Sequence, residues 1–154
     1  MLSFFRSFRF AAHGLLLCLR ERNFRFHLAL AIYMYTFLLI FDWFTLTRGE
    51  WAALILATVF VLAAEAFNTA IEATVDLASP DIHPLAARAK DLGAAAVLVC
   101  AAAAVAVGLV VLWQPAAFSA MLAHYQARPV MLAPLGLSLV GATWFIWGVG
   151  RKKL

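Results

Sequence analysis

Four stretches of roughly twenty residues, each apolar enough to cross a bilayer, constrain this chain more than any other feature. They run at about 28–47, 51–78, 93–113 and 130–150. In hydrocarbon every backbone N–H and C=O needs a partner within the protein, so each stretch is expected to be a helix. Composition agrees, with 66% of residues hydrophobic, 13% charged and a mean hydropathy of +0.92. So few charges cannot coat a soluble globule of 154 residues. The expected fold is all-α, an integral membrane helical bundle, and soluble or collagen-like folds are excluded. Cys18 and Cys100 stand alone in a basic and an Ala-rich segment, which argues for two free thiols.

Ahead of the first span, residues 1–27 interleave Arg6, Arg9, Arg20, Arg22 and Arg25 with Phe5, Phe8, Ala12, Leu15, Leu16 and Leu19. That spacing predicts an amphipathic helix lying on a membrane surface. Arg6 and Arg9 interrupt the first apolar residues, so no cleavable leader is expected. The spans are joined by a turn around Arg48 and Glu50, a loop with Ser79-Pro80-Asp81, and a connection over 114–129. Four spans put the N-terminal arginines, Arg88, Lys90, Arg151, Lys152 and Lys153 on one side, leaving Arg48 and Arg128 on the other. The positive-inside rule then places both termini and the 79–92 loop in the cytoplasm. The formal net charge of +4 therefore reflects topology, and no nucleic-acid partner is implied.

Chemistry is concentrated in the second span. Glu65, Asn68, Glu72 and Asp76 fall within roughly 80° of one another on a helix, giving one acidic face. A charged side chain at the bilayer centre costs about 2.5–3.5 kcal/mol on insertion scales, so such a stripe must face protein, water or an ion. At 1.5 Å per residue Glu72 lies ~31 Å from Trp51 and Glu65 ~21 Å, which sets Glu72 near the cytoplasmic interface and Glu65 deeper. The same interface receives His83, Arg88, Lys90 and Asp91 from the following loop and Glu21 from the N-terminal segment. Carboxylates without a His/Cys cluster suit a hard ion such as Mg²⁺, which takes one or two carboxylates plus substrate phosphates. Lys90 and Arg88 suit those phosphates, and the deeper Glu65 suits proton removal from a lipid hydroxyl.

The run Glu65-Ala66-Phe67-Asn68-Thr69-Ala70-Ile71-Glu72-Ala73-Thr74-Val75-Asp76 resembles the E-x-x-N-[ST]-A-I-E-x-x-x-D signature of the prokaryotic diacylglycerol kinase and undecaprenol kinase family. His83-Pro84-Leu85-Ala86 and Ala89-Lys90-Asp91 continue the likeness downstream. Ser7-Phe8-Arg9-Phe10-Ala11, Gly14 and Glu21-Arg22-Asn23-Phe24-Arg25 continue it upstream. The resemblance implies a small membrane lipid kinase with a surface helix and three spans, a homotrimer in the bacterial inner membrane, over about residues 1–113. Residues 114–154, with the fourth span, then form a C-terminal extension. It further implies Glu65 as the general base and Glu21 and Glu72 as holders of Mg²⁺ on the ATP phosphates. Asp81, His83, Lys90 and Asp91 would contact ATP, Asn68 would orient the reacting groups with Asp76 in support, and Asn23, Phe24 and Arg25 would line the lipid's path to Glu65. Phe10 stands where the family carries Tyr, so a hydroxyl contact to the nucleotide is absent. No G-x-x-x-x-G-K-[ST] phosphate loop is present, in keeping with a kinase unrelated to the soluble ones.

Two acceptors stay open. Glu21 to His27 and His83 to Ala86 resemble the undecaprenol-using branch, whereas Asp91-Leu92-Gly93-Ala94-Ala95-Ala96 resembles the diacylglycerol-using one. The rival function is a proton or cation pathway with Glu65, Glu72 and Asp76 as its relay. It leaves the clustering of Glu21, His83, Lys90 and Asp91 at one interface without a reason.

Overall fold

In a computed structural model of the protein, residues 2–79, 81 and 83–148 are described, with side chains from Phe5 onward; Arg151-Lys152-Lys153 and the end of the fourth predicted span lie outside them. The chain is all-helical among the described residues. It runs α1 (Leu2–Cys18), α2 (Arg22–Ile40), α3 (Arg48–Ala78), α4 (Pro84–Leu112), α5 (Pro115–Ala127), a 3₁₀ turn at Pro129–Met131, and α6 (Leu132–Gly148). Four segments are long and apolar enough to span a membrane: α2, α3, α4 and Pro129–Gly148.

Each boundary has a local cause. Thr47 caps α3: its hydroxyl accepts from the Glu50 N–H, and the Glu50 carboxylate accepts from the Thr47 N–H at 2.7 Å, a reciprocal capping box. His83 caps α4 by accepting the Leu85 N–H on Nδ1 at 3.2 Å, and Pro84 takes the first helical position, where its missing N–H costs nothing. Consequently α4 starts nine residues before the predicted span at Gly93. Near Asp42 and Trp43 the chain turns, so α2 ends at Ile40 rather than Thr47. The predicted single helix over 1–27 is two: α1 stops at Cys18, and a turn at Leu19–Glu21 separates it from α2.

Packing is carried mainly by α3 against α4 along their length, with α2 on α3, and α6 on α2. Small residues let α4 approach closely, most clearly at buried Gly93, where an added Cβ would collide with Asn68 Oδ1. Leu38, Leu54 and Val111 form a core joining α2, α3 and α4, with Phe44, Leu46 and Trp51 packed around it. At that end Gln114 ties the α4–α5 junction to the α2–α3 loop, accepting the Thr45 N–H at 3.2 Å and donating to the Thr45 carbonyl at 3.1 Å. Phe41 and Trp43 stack there at 4.0 Å between ring centres, and His124 of α5 meets both edge-on. Apolar side chains such as Phe60, Leu98 and Val110 point outward, as they would toward lipid.

With 31 residues, α3 is ~46 Å long, well beyond a ~30 Å hydrocarbon core. If its capped start sits at one interface, Glu65 lies just inside the opposite one and Glu72 and Asp76 project past it. The start of α4 meets α3 at that end through Lys90 and Asp76, α1 also packs on α3, and the end of α6 reaches the same end through Arg25 of α2.

Candidate active site

Glu65 is the centre of this end. Its carboxylate sits on α3 with the residue only 3% exposed, and His27 Nε2 of α2 lies 3.4 Å from Oε1. One turn on, Asn68 is buried too, and its Nδ2 donates to Glu72 Oε1 at 2.7 Å. The i, i+4 spacing makes that bond geometrically natural on a helix. Asn68 Oδ1 is buried with no partner and pressed toward Gly93. Unsatisfied acceptors in a low-dielectric interior are costly, and functional sites are where such costs are tolerated. Glu72 itself is exposed, as are Glu21 and Asp76. Glu21 stands on the α1–α2 turn, six residues before the His27 that touches Glu65. Asp76 forms an ion pair with Lys90 across α3 and α4, which aligns the start of α4 with the end of α3.

Glu21 owes its place to the turn. The Glu21 N–H donates to Cys18 carbonyl at 3.0 Å and the Glu21 carbonyl accepts the Arg25 N–H at 3.1 Å, so the residue begins α2 with extended backbone angles. Burial pushes the neighbouring Cys18 thiol above the ordinary cysteine range, and the Glu21 carboxylate adds to that. Arg25, 3% exposed, turns back under the same turn: Nη1 donates to the carbonyls of Leu19 at 2.9 Å and Arg20 at 2.6 Å. Its Nη2 donates to the carbonyl of Ile146 in α6 at 2.8 Å. Charge-assisted bonds of this kind contribute about 1.5–3 kcal/mol each.

Among the residues picked out by sequence, Glu65, Asn68 and Glu72 are therefore contiguous, Asp76 and Lys90 are paired beside them, and Glu21 stands on the turn that opens α2. Asp91 is exposed next to Lys90 on α4. Asp81 is exposed in the loop, its carbonyl accepting the Ser79 hydroxyl at 3.2 Å, and no contact joins its side chain to the acidic cluster. His83 spends Nδ1 on the α4 cap. Asn23 is exposed on the first turn of α2, whereas Phe24 and Arg25 point inward, and Arg25 is committed to backbone carbonyls. His27 received no catalytic role from the sequence, where it closes the arginine-bearing segment ahead of the first span, and its approach to Glu65 is visible only in the fold.

Within the described residues no three His, Cys, Asp or Glu side chains are grouped to hold a metal by themselves. Glu72 keeps one oxygen beyond the Asn68 bond, and Glu21 supplies a second carboxylate from the turn. That donor set fits Mg²⁺, which seldom occupies an all-protein cage and takes its remaining ligands from phosphates and water.

Comparison with known proteins gives the family. The sequence pattern of the family described as prokaryotic diacylglycerol kinase matches residues 9–112. The chain belongs to that family and is a lipid kinase. It is 40% identical over 111 residues to undecaprenol kinase of Bacillus subtilis, covering 70% of this chain and 86% of that protein. Over 50 residues it is 50% identical to diacylglycerol kinase of Pseudomonas aeruginosa, covering 32% of this chain and 41% of that one. With diacylglycerol kinase of Escherichia coli K12 it shares 43% identity over 60 residues, 39% of this chain and 49% of the relative. No solved structure matches. The matched region ends at the close of α4, so α5 and α6 lie beyond it.

Proposed function

We propose that the protein transfers the γ-phosphate of Mg-ATP to the hydroxyl of a membrane lipid, diacylglycerol or undecaprenol, at the cytoplasmic face of a bacterial inner membrane. The observation that carries this is the buried Glu65 carboxylate one helical turn from the Asn68–Glu72 pair, at the depth where a lipid hydroxyl and a soluble nucleotide can meet. Glu65 accepts the hydroxyl proton as the lipid oxygen bonds to the γ-phosphorus and the bond to the ADP oxygen breaks. His27, 3.4 Å from Oε1, orients the carboxylate so that its other oxygen faces the hydroxyl. Glu72, held by Asn68, and Glu21 on its turn serve the phosphate side, with Asn68 orienting the reacting groups. Lys90, set by Asp76, Asp91, Asp81 and His83 bound the nucleotide, and Asn23 and Phe24 flank the lipid's approach. Bound Mg²⁺ would neutralise phosphate charge, the main requirement of phosphoryl transfer.

The coverage of the undecaprenol kinase relative, together with Glu21-Arg22-Asn23-Phe24-Arg25-Phe26-His27, favours undecaprenol as acceptor. We further propose a homotrimer, in which the small-residue faces of α4 bring subunits together. The test is transfer of labelled γ-phosphate from Mg-ATP by purified protein offered each lipid in separate micelles, with Glu65→Gln as control. Label in one lipid, absent in the variant, is the expected result. Label in neither lipid, from folded protein, would overturn the assignment and return the acidic stripe to an ion-pathway reading.

A further inference from the structure

The last helix reaches the site through one buried cation. Arg25 joins three backbone carbonyls that belong to two separate parts of the chain: Leu19 and Arg20 in the α1–α2 turn, and Ile146 near the last described residues of α6. Carbonyls just past a helix C-terminus lack intrahelical donors and carry the negative end of its dipole, so the turn after α1 offers a guanidinium two natural acceptors. The third comes from 121 residues away, and Ile146 is itself buried against α2. Glu21 follows these carbonyls directly, and its own carbonyl accepts the Arg25 N–H. A planar fork bonded on both sides cannot shift without breaking a bond to one of them.

We propose that α6 is a positioning element of the kinase site: through the Ile146 carbonyl it locks Arg25, and Arg25 locks the turn that presents Glu21 to the divalent cation on ATP. This rests on the reading of Glu21 as a phosphate-side carboxylate. Arg25 is thus a positioning residue, and the C-terminal extension takes part in the chemistry without touching substrate. Outer contacts that orient a metal ligand commonly change metal affinity by 10–100-fold when removed.

Cys18, buried at the end of α1 and bonded through its carbonyl to the Glu21 N–H, is a built-in reporter of this turn. The experiment uses the full chain with Cys100→Ala, so that Cys18 is the single thiol. Two variants are made on it: Arg25→Lys, which keeps the charge and loses the fork, and one alanine inserted between Leu139 and Val140, which rotates the Ile146 carbonyl by about 100° away from α2. Each is measured for the rate of maleimide labelling of Cys18 and for Mn²⁺ binding by electron paramagnetic resonance with a non-hydrolysable ATP analogue, with gel filtration confirming the fold. Both variants should label several-fold faster and bind Mn²⁺ roughly tenfold more weakly. If the insertion variant fails to fold, Arg25→Lys decides. Parental labelling and parental Mn²⁺ affinity would overturn the proposal. Glu21→Gln is measured alongside: if it weakens Mn²⁺ binding while the two variants only label faster, α6 does not serve the metal and the proposal falls. If Glu21→Gln leaves Mn²⁺ binding intact, the role given to Glu21 has failed, and Cys18 labelling alone decides whether α6 locks the turn.

Discussion

Glu65 and Glu72 are two turns apart on one helix, yet burial separates their chemistry. Glu65 is enclosed beside His27, while Glu72 is exposed with one oxygen bonded to Asn68. Replacing Glu65 by Gln keeps volume and hydrogen bonding but removes the proton acceptor. It should cut kcat by about 10²–10⁴-fold, the range of general base catalysis, and leave nucleotide affinity as it was by equilibrium binding. Glu72→Gln should instead raise the KM for Mg-ATP, because it weakens the phosphate side in both ground and transition states. Similar mild losses in both variants would contradict this division. The acidic face that makes the contrast was legible in the spacing of Glu65, Asn68, Glu72 and Asp76. Arg25 was not: a sequence shows a basic residue at a membrane edge, but only the fold shows that its partners are carbonyls 5, 6 and 121 residues away.

Helices are legible where hydropathy and caps agree, as at Thr47 and Glu50. They are less so where a turn is made by backbone bonds alone. The break at Leu19–Glu21 has no Gly or Pro to announce it, and the predicted connection over 114–129 contains a 13-residue helix, α5, begun by Pro115. Between α3 and α4 the decisive residue is Gly93, because the approach of the two helices brings Asn68 Oδ1 into the space a side chain would need. Gly93→Ala should lower thermal stability by about 1–3 kcal/mol, the usual cost of overpacking. It should also reduce kcat, since the Asn68 amide that holds Glu72 must move. Thr47→Ala supplies the contrast at the other end of α3. Loss of its cap should cost about 0.5–2 kcal/mol with kcat unchanged, and thermal melts in detergent beside the phosphate-transfer assay would check both.

At the scale of the whole molecule, the acidic end and the aromatic end of the bundle face opposite ways. Asn68, Glu72, Asp76, Lys90 and Glu21 gather at one, and the Phe41–Trp43 stack with His124 and the Gln114–Thr45 bonds at the other. Aromatic rings favour the membrane interface on either side, so the aromatic cluster does not orient the molecule by itself. The positive-inside rule supplies the expected orientation, since Arg48 and Arg128 are the only Lys or Arg residues that four spans assign to the aromatic side. Because Ile146 of α6 meets Arg25 beside the acidic end, the last described turn of α6 lies at that end of the bundle, as a fourth crossing would place it. A green fluorescent protein fused after Leu154 should therefore fluoresce in cells, and alkaline phosphatase at the same point should be inactive. Fusions after Ala127, between α5 and the 3₁₀ turn, should behave in the opposite way. A bright fluorescent fusion at Ala127 with a dark one at Leu154 would mean an inverted chain and would place Glu65 and Glu72 out of reach of cytoplasmic ATP. Brightness at both points would mean that Pro129–Gly148 does not cross, and would contradict the four-helix crossing itself.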